Sequence, residues 1–184
     1  FKEITGSSGY SDNGGAYCGT VFIPTVGDGS VAWVRIDGGY NVGLPLLGVW
    51  FGIQADDTAD DTTSIQALID AVIATGNDNG ILPTGPIKYS AALTFSRGGI
   101  TISGAGFSTL DSSYDVESGT ELRYYGTGNS IEVHGTAIDY FERLTLSKMA
   151  ITNQAGATTG RVGIHCEYNR FNDFEDLYIE GFET

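Results

Sequence analysis

Apolar and polar residues alternate in short runs along most of the chain. At one place a longer period takes over. Ile65, Leu68, Ile69 and Val72 stand at i, i+3, i+4 and i+7, which gathers them on one face of a helix. Asp60, Asp61, Thr62 and Thr63 precede them and offer N-cap oxygens, and carboxylates there suit the positive end of the helix dipole. Gly76 is a natural C-cap. The pattern predicts a helix from about Thr62 to about Thr75.

After the helix the runs predict strands at Gly80–Pro83, Leu93–Phe95, Ile100–Ser103, Glu121–Tyr124, Ile131–His134, Leu144–Ser147, Val162–Glu167 and Leu177–Glu180. Before it, Thr20–Ile23 and Val31–Ile36 are β-branched and aromatic, with Gly and Asp clusters between them. Residues 1–48 therefore read as a small Gly-rich β module, distinct from residues 49–184.

An internal repeat is visible. Phe141-Glu142-Arg143-Leu144 through Met149 matches Phe174-Glu175-Asp176-Leu177 through Phe182, at an offset of 174 − 141 = 33 residues. Such a repeat suggests stacked solenoid turns that place the same aliphatic pair inward.

Composition agrees with many short strands joined by turns: 27 Gly against 4 Pro, with 41% hydrophobic residues to fill a core. The net charge of −14 argues against a nucleic-acid partner, because phosphates would be repelled. The apolar stretch from Val42 to Ile53 is too short to span a bilayer and is interrupted by Gly43, Pro45 and Gly48, so no membrane insertion is expected. Cys18 and Cys166 are too few for a disulfide framework or a zinc site and are expected to be buried thiols. The chain begins at Phe1 and reaches Thr184 soon after its last strand, so it reads as a portion of a longer protein.

Four stretches carry a family resemblance. Phe51-Gly52-Ile53-Gln54-Ala55-Asp56-Asp57 through Asp60-Asp61-Thr62 resembles the F-G-A-x-G-D-G-x-x-D-D-T opening of pectate-lyase-like β-helices. Ser64 to Ala71 resembles that family's A-x-Q-x-A-I-D-A helix. Gly80 to Gly85 looks like its first strand ending in P-x-G, and Ile100 to Gly106 like its I-x-I-x-G-x-G strand and corner. Where the family has two signature glycines this chain has Ala55 and Asp57, and Ile87 replaces a usual Tyr, with Tyr89 two residues on. Asp12 to Gly15, Gly19 to Phe22 and Trp33 to Arg35 resemble the small module before the β-helix in phage tailspikes and capsule depolymerases.

The resemblance implies an all-β fold: a single-stranded right-handed parallel β-helix with an N-terminal capping α-helix over 49–184, preceded by the module. It implies a homotrimeric tailspike or tail-fibre protein of the extracellular virion tail. Its partners would be bacterial surface polysaccharide and other tail proteins. The full-length form would be a polysaccharide hydrolase or lyase, with this segment lacking the complete active site and needing no cofactor. A non-catalytic adaptor and a secreted bacterial polysaccharide lyase are the alternatives.

The candidate site residues follow from chemistry. Paired carboxylates serve glycoside hydrolysis, and a base with charge stabilisation serves a lyase. The richest acidic cluster is Asp173, Glu175, Asp176 and Glu180, near Arg170 and Tyr178. If Leu177 and Ile179 point inward, then Asp176, Tyr178 and Glu180 share the outward face. Asp176 and Glu180 are the catalytic candidates and Tyr178 the sugar-binding one. Asp60, Asp61, Ile65, Leu68, Ile69 and Val72 are assigned to a structural cap over one end of the solenoid. Asp56, Asp57, Asp60 and Asp61 lack the spacing of a calcium loop, so no metal is expected. His134 and His165 read as isolated histidines.

Overall fold

Among the described residues, every strand from Leu46 onward pairs in parallel. The computed structural model describes residues 2–5, 21–22, 31–34, 45–75, 78–107, 118–135, 141–155 and 161–182. Among these the fold is mostly β, with one α-helix and a curled parallel sheet. Strands β1 (Lys2–Thr5), β2 (Val21–Phe22) and β3 (Val31–Val34) form a separate antiparallel sheet in the order β1-β3-β2. Strand β4 (Leu46–Leu47) already pairs in parallel with β5 (Asn79–Ile81), so the parallel region takes in two residues of the segment read as module. Cys18 and Gly76 lie outside the described residues.

A 3-10 turn at Gly48–Phe51 leads to α1 (Thr62–Thr75), the helix that the 3.6-residue period predicts. Strands β6 (Gly85–Tyr89), β7 (Leu93–Phe95), β8 (Ile100–Ser103), β9 (Thr120–Tyr124) and β10 (Ile131–His134) follow. Strands β11 (Phe141–Glu142), β12 (Leu144–Asn153), β13 (Ile164–Glu167), β14 (Asn169–Arg170) and β15 (Asp173–Glu180) complete the order.

Three columns of parallel strands result. β5 pairs with β8, β8 with the first half of β12, and that half with the start of β15. β6 pairs with β9, β9 with the second half of β12, and that half with the end of β15. β7, β10 and β13 make the third column. The chain visits the columns in a fixed order, so each circuit lies on the previous one. Inward positions align in register. Leu122 and Tyr124 lie beside Ile87 and Tyr89, and Ile131 and Val133 beside Leu93 and Phe95, all at most 2% exposed. The Tyr89 and Tyr124 rings sit 5.1 Å apart, and the buried Tyr89 hydroxyl is hydrogen-bonded to Ser130.

The sequence repeat is not the structural one. Leu146 pairs with Phe174, an offset of 174 − 146 = 28, and Phe141 pairs with Asn169 rather than Phe174. The offset of 33 belongs to the third column, where Ile131 pairs with Ile164. Six residues separate β10 from β11, but Tyr168 alone separates β13 from β14. That shortfall of five residues turns 33 into 28. Strands β12 and β15 are also longer than expected, because each bends instead of ending. Lys148 (φ 58) and Asp176 (φ 50) take the left-handed conformation at matching bends.

Helix α1 covers the start of the columns. Ile65, Leu68, Ile69 and Val72 are at most 1% exposed and belong to the core. A Cβ on Gly80 would meet Ile102 at 2.8 Å, Val72 at 3.2 Å and Leu68 at 3.5 Å, so the bare glycine lets the helix approach β5 and β8. Polar groups cover the free strand edges, which would otherwise carry unpaired backbone groups. The Gln66 amide donates to Thr94 O (3.0 Å) and accepts from Thr94 N (2.9 Å), occupying the edge of β7. The backbone N–H groups of Asp57 and Asp61 donate to the carbonyls of Pro86 (2.9 Å) and Lys88 (2.8 Å), occupying the edge of β6.

The two helix-start carboxylates divide their work. Asp60 Oδ1 accepts from Thr62 N at 3.0 Å, and the Ser90 hydroxyl donates to its other oxygen. Asp61 turns away from the helix and accepts from Gln54 N (3.2 Å) and Ala55 N (3.4 Å). Burial pushes the Asp61 carboxyl above its ordinary pKa, although those N–H groups pull the other way.

Ala55 (φ 53) and Asp57 (φ 58), the residues standing where the resembled family has glycine, both occupy left-handed backbone. A non-glycine residue is penalised there, and glycine relieves the penalty at a smaller cost in unfolded-chain entropy. Ala55→Gly is therefore expected to raise stability by roughly 0.5 kcal/mol. Urea unfolding checks this, and a loss of stability would show that the Ala55 methyl packs productively.

Candidate functional site

The outward face of the column β6–β9–β12–β15 carries the densest polar network among the described residues. Two rows cross it in register: Pro86, Glu121, Ala150 and Tyr178, then Lys88, Arg123, Thr152 and Glu180. The Glu121 side chain is only 2% exposed although its strand position faces outward. Its carboxylate accepts from Arg123 Nε (2.8 Å) and from the Thr152 hydroxyl (2.8 Å). The Arg123 Nη1 group reaches Asp57 Oδ2 at 2.9 Å. Burial opposes the Arg123 charge, but its bonds to Glu121 and Asp57 outweigh that and raise its pKa. The Tyr125 hydroxyl faces Asp57 at 3.3 Å, and Lys88 Nζ lies 5.0 Å from the Tyr125 ring centre.

Tyr178 and Glu180 fall on this face, as their spacing suggests. The Tyr178 hydroxyl donates to Glu180 Oε2 at 2.5 Å, and its ring sits 6.1 Å from that of Phe107. Asp176 does not join them. It is exposed at the left-handed bend, where the inward–outward alternation is interrupted. Asp173 and Glu175 are also exposed. The structure thus brings together Tyr178 and Glu180 and separates Asp176 from them.

A second cluster escaped sequence reasoning. On the outward face of the third column Glu132 stands beside His165, and His134 beside Glu167. His134 Nε2 lies 3.0 Å from Glu132 Oε2, and its Nδ1 lies 3.6 Å from Glu167 Oε2. His165 Nε2 lies 3.7 Å from Glu167 Oε1, and the two imidazole rings are 6.1 Å apart, edge to face. The signal was present: Ile131-Glu132-Val133-His134 and Ile164-His165-Cys166-Glu167 share the offset of 33 with their charges transposed. Cys166 is exposed, not buried as expected, because among the described residues no strand pairs with β13 on the side away from β10. Among the described residues no group of three or more His, Cys, Asp or Glu side chains is arranged to hold a metal ion. Asp56, Asp57, Asp60 and Asp61 each spend oxygens on bonds within the protein.

The class these features define is a strand-rich protein with a curled, stacked parallel sheet and a polar outer face. No protein-family model and no curated protein matches the chain. Among solved structures it is similar to ORF18 of Geobacillus virus E2, with a TM-score of 0.53 and 23% identity. The match covers 75% of this chain and 28% of that one, so the likeness concerns the fold over little more than a quarter of the phage protein.

Proposed function

We propose that the chain is the N-terminal portion of a bacteriophage tailspike or tail-fibre receptor-binding protein. It is read as a right-handed parallel β-helix of the pectate-lyase-like kind, homotrimeric, in the virion tail. Its full-length form recognises bacterial surface polysaccharide and depolymerises it. The observation that carries the reading is the stacking of successive circuits in register, β5–β7 beneath β8–β10 beneath β12–β13. The shared fold with a phage protein supports it. The outward rows that end in Tyr178 and Glu180 supply what sugar recognition uses, an aromatic face beside a carboxylate acceptor.

A second reading, the non-catalytic adaptor, is favoured by one specific observation. The carboxylates of this face are already engaged, Glu121 by Arg123 and Thr152 and Glu180 by Tyr178.

The deciding experiment incubates the full-length protein with capsule and lipopolysaccharide from its host bacterium. New reducing ends or unsaturated uronates are expected, and Glu180→Gln in the same chain is expected to weaken glycan binding about tenfold. Binding without cleavage would reduce the reading to an adhesin. No binding to any surface glycan would leave the adaptor.

A further inference from the structure

We propose that His134 is a proton-operated latch between successive circuits, fastening β13 to β10 when its ring carries both protons.

The argument begins with donor and acceptor counts. A neutral imidazole has one N–H donor and one bare nitrogen acceptor, whereas an imidazolium donates from both. Both ring nitrogens of His134 face carboxylates. Nε2 meets Glu132 on its own strand at 3.0 Å, and Nδ1 meets Glu167 on the next circuit at 3.6 Å. A neutral ring would turn one lone pair toward a carboxylate oxygen. The imidazolium hydrogen-bonds to Glu132 and faces Glu167 at ion-pair range, so its charge bridges the two circuits.

The other groups around the ring point the same way. From β13, His165 directs Nε2 to Glu167 at 3.7 Å, while its Nδ1 is buried without a hydrogen-bond partner. Of the two rings, His134 is the one that reaches a carboxylate on each circuit, so the latch is assigned to it. From the turn before β10, Asn129 donates to Glu132 Oε1 at 3.1 Å and adds no charge. From β7, Thr94 and the following Ser96 are neutral. The block thus sets two carboxylates on adjacent circuits either side of the His134 ring, and protonating His134 offsets their mutual repulsion.

The hydrogen bond with Glu132 raises the His134 pKa above the ordinary histidine value, against a smaller opposing effect of burial. The same bond lowers the Glu132 carboxyl. A raised folded-state pKa fixes the sign: the latch is fully closed below the ordinary histidine range and opens as pH rises through the raised value. The side chains of His134 and Glu167 are more than a third exposed, so solvent and salt screen the interaction and the effect is modest.

Hydrogen exchange of the backbone amides of residues 164–167 in the full chain tests this, at pH 5.5 and pH 8 after correction for intrinsic exchange. Protection is expected to be about threefold greater at the lower pH, and His134→Gln is expected to abolish the difference. Equal protection at the two pH values, or an undiminished difference in His134→Gln, would overturn the latch. Should that variant not fold, the His134 ring is titrated by NMR in the native chain and in Glu167→Gln. Loss of the cross-circuit carboxylate is expected to lower the midpoint, and an unmoved midpoint refutes the bridge.

Discussion

Arg123→Met is expected to destabilise the protein by about 3 kcal/mol. The figure follows from what the substitution leaves behind. The Glu121 side chain is 2% exposed, and Arg123 supplies its charge-bearing partner at 2.8 Å. Without the guanidinium, the Thr152 hydroxyl still donates to it, but a carboxylate held out of water loses its counter-charge. Asp57, in the segment before α1, loses its tie to β9 in the same step. The double variant Glu121→Gln/Arg123→Met removes both charges and is expected to recover at least 1 kcal/mol of the loss. Urea unfolding of the two single variants and the double measures the coupling. If Arg123→Met alone costs under 1 kcal/mol, Glu121 is better solvated than its burial implies.

Leu68→Ala is expected to cost about 3 kcal/mol through a different mechanism. Leu68 is fully buried where α1 crosses β5 and β8, and its Cδ1 would lie 3.5 Å from a Cβ placed on Gly80. Truncation opens a cavity bounded by Val72 and Ile102, which cannot collapse because the strands beneath are pinned in register on both sides. Gln66→Ala provides the contrast, since it removes the two bonds to Thr94 but leaves the apolar face intact. It is expected to cost about 1 kcal/mol. A Leu68→Ala cost no greater than that of Gln66→Ala would mean that edge pairing, not apolar burial, holds the helix in place.

How far the sequence reveals these features depends on how local their causes are. The helix was legible to the residue, because its apolar period and capping oxygens lie within fifteen positions. Most strands were legible from alternation. Strand β6 was not, because Gly85-Pro86 reads as a turn; Pro86 is tolerated since β6 is the outermost strand of its column and needs no donor on that side. The lengths of β12 and β15 were missed because Lys148 and Asp176 adopt a left-handed bend without glycine. The distant partners of Arg123 and His134 were missed for another reason. Asp57 lies 66 residues from Arg123, and Glu167 meets His134 only through a register that the 33-residue repeat misassigned for the neighbouring column. Tyr178 and Glu180 could be grouped from a two-residue spacing on one strand, whereas Asp176 could not be placed without knowing of the bend.

The unequal corners described above have a consequence for how this architecture changes over time. The connection from β10 to β11 has six residues and its successor has one, yet the strands on either side keep their pairing. Chain length thus differs between these two connections, while the ladder fixes alternation within the strands. Insertions and deletions are expected to be tolerated at such points. The same corners are where a foreign loop can be grafted, and where related chains would be expected to diverge first in contour while keeping the same stack of strands.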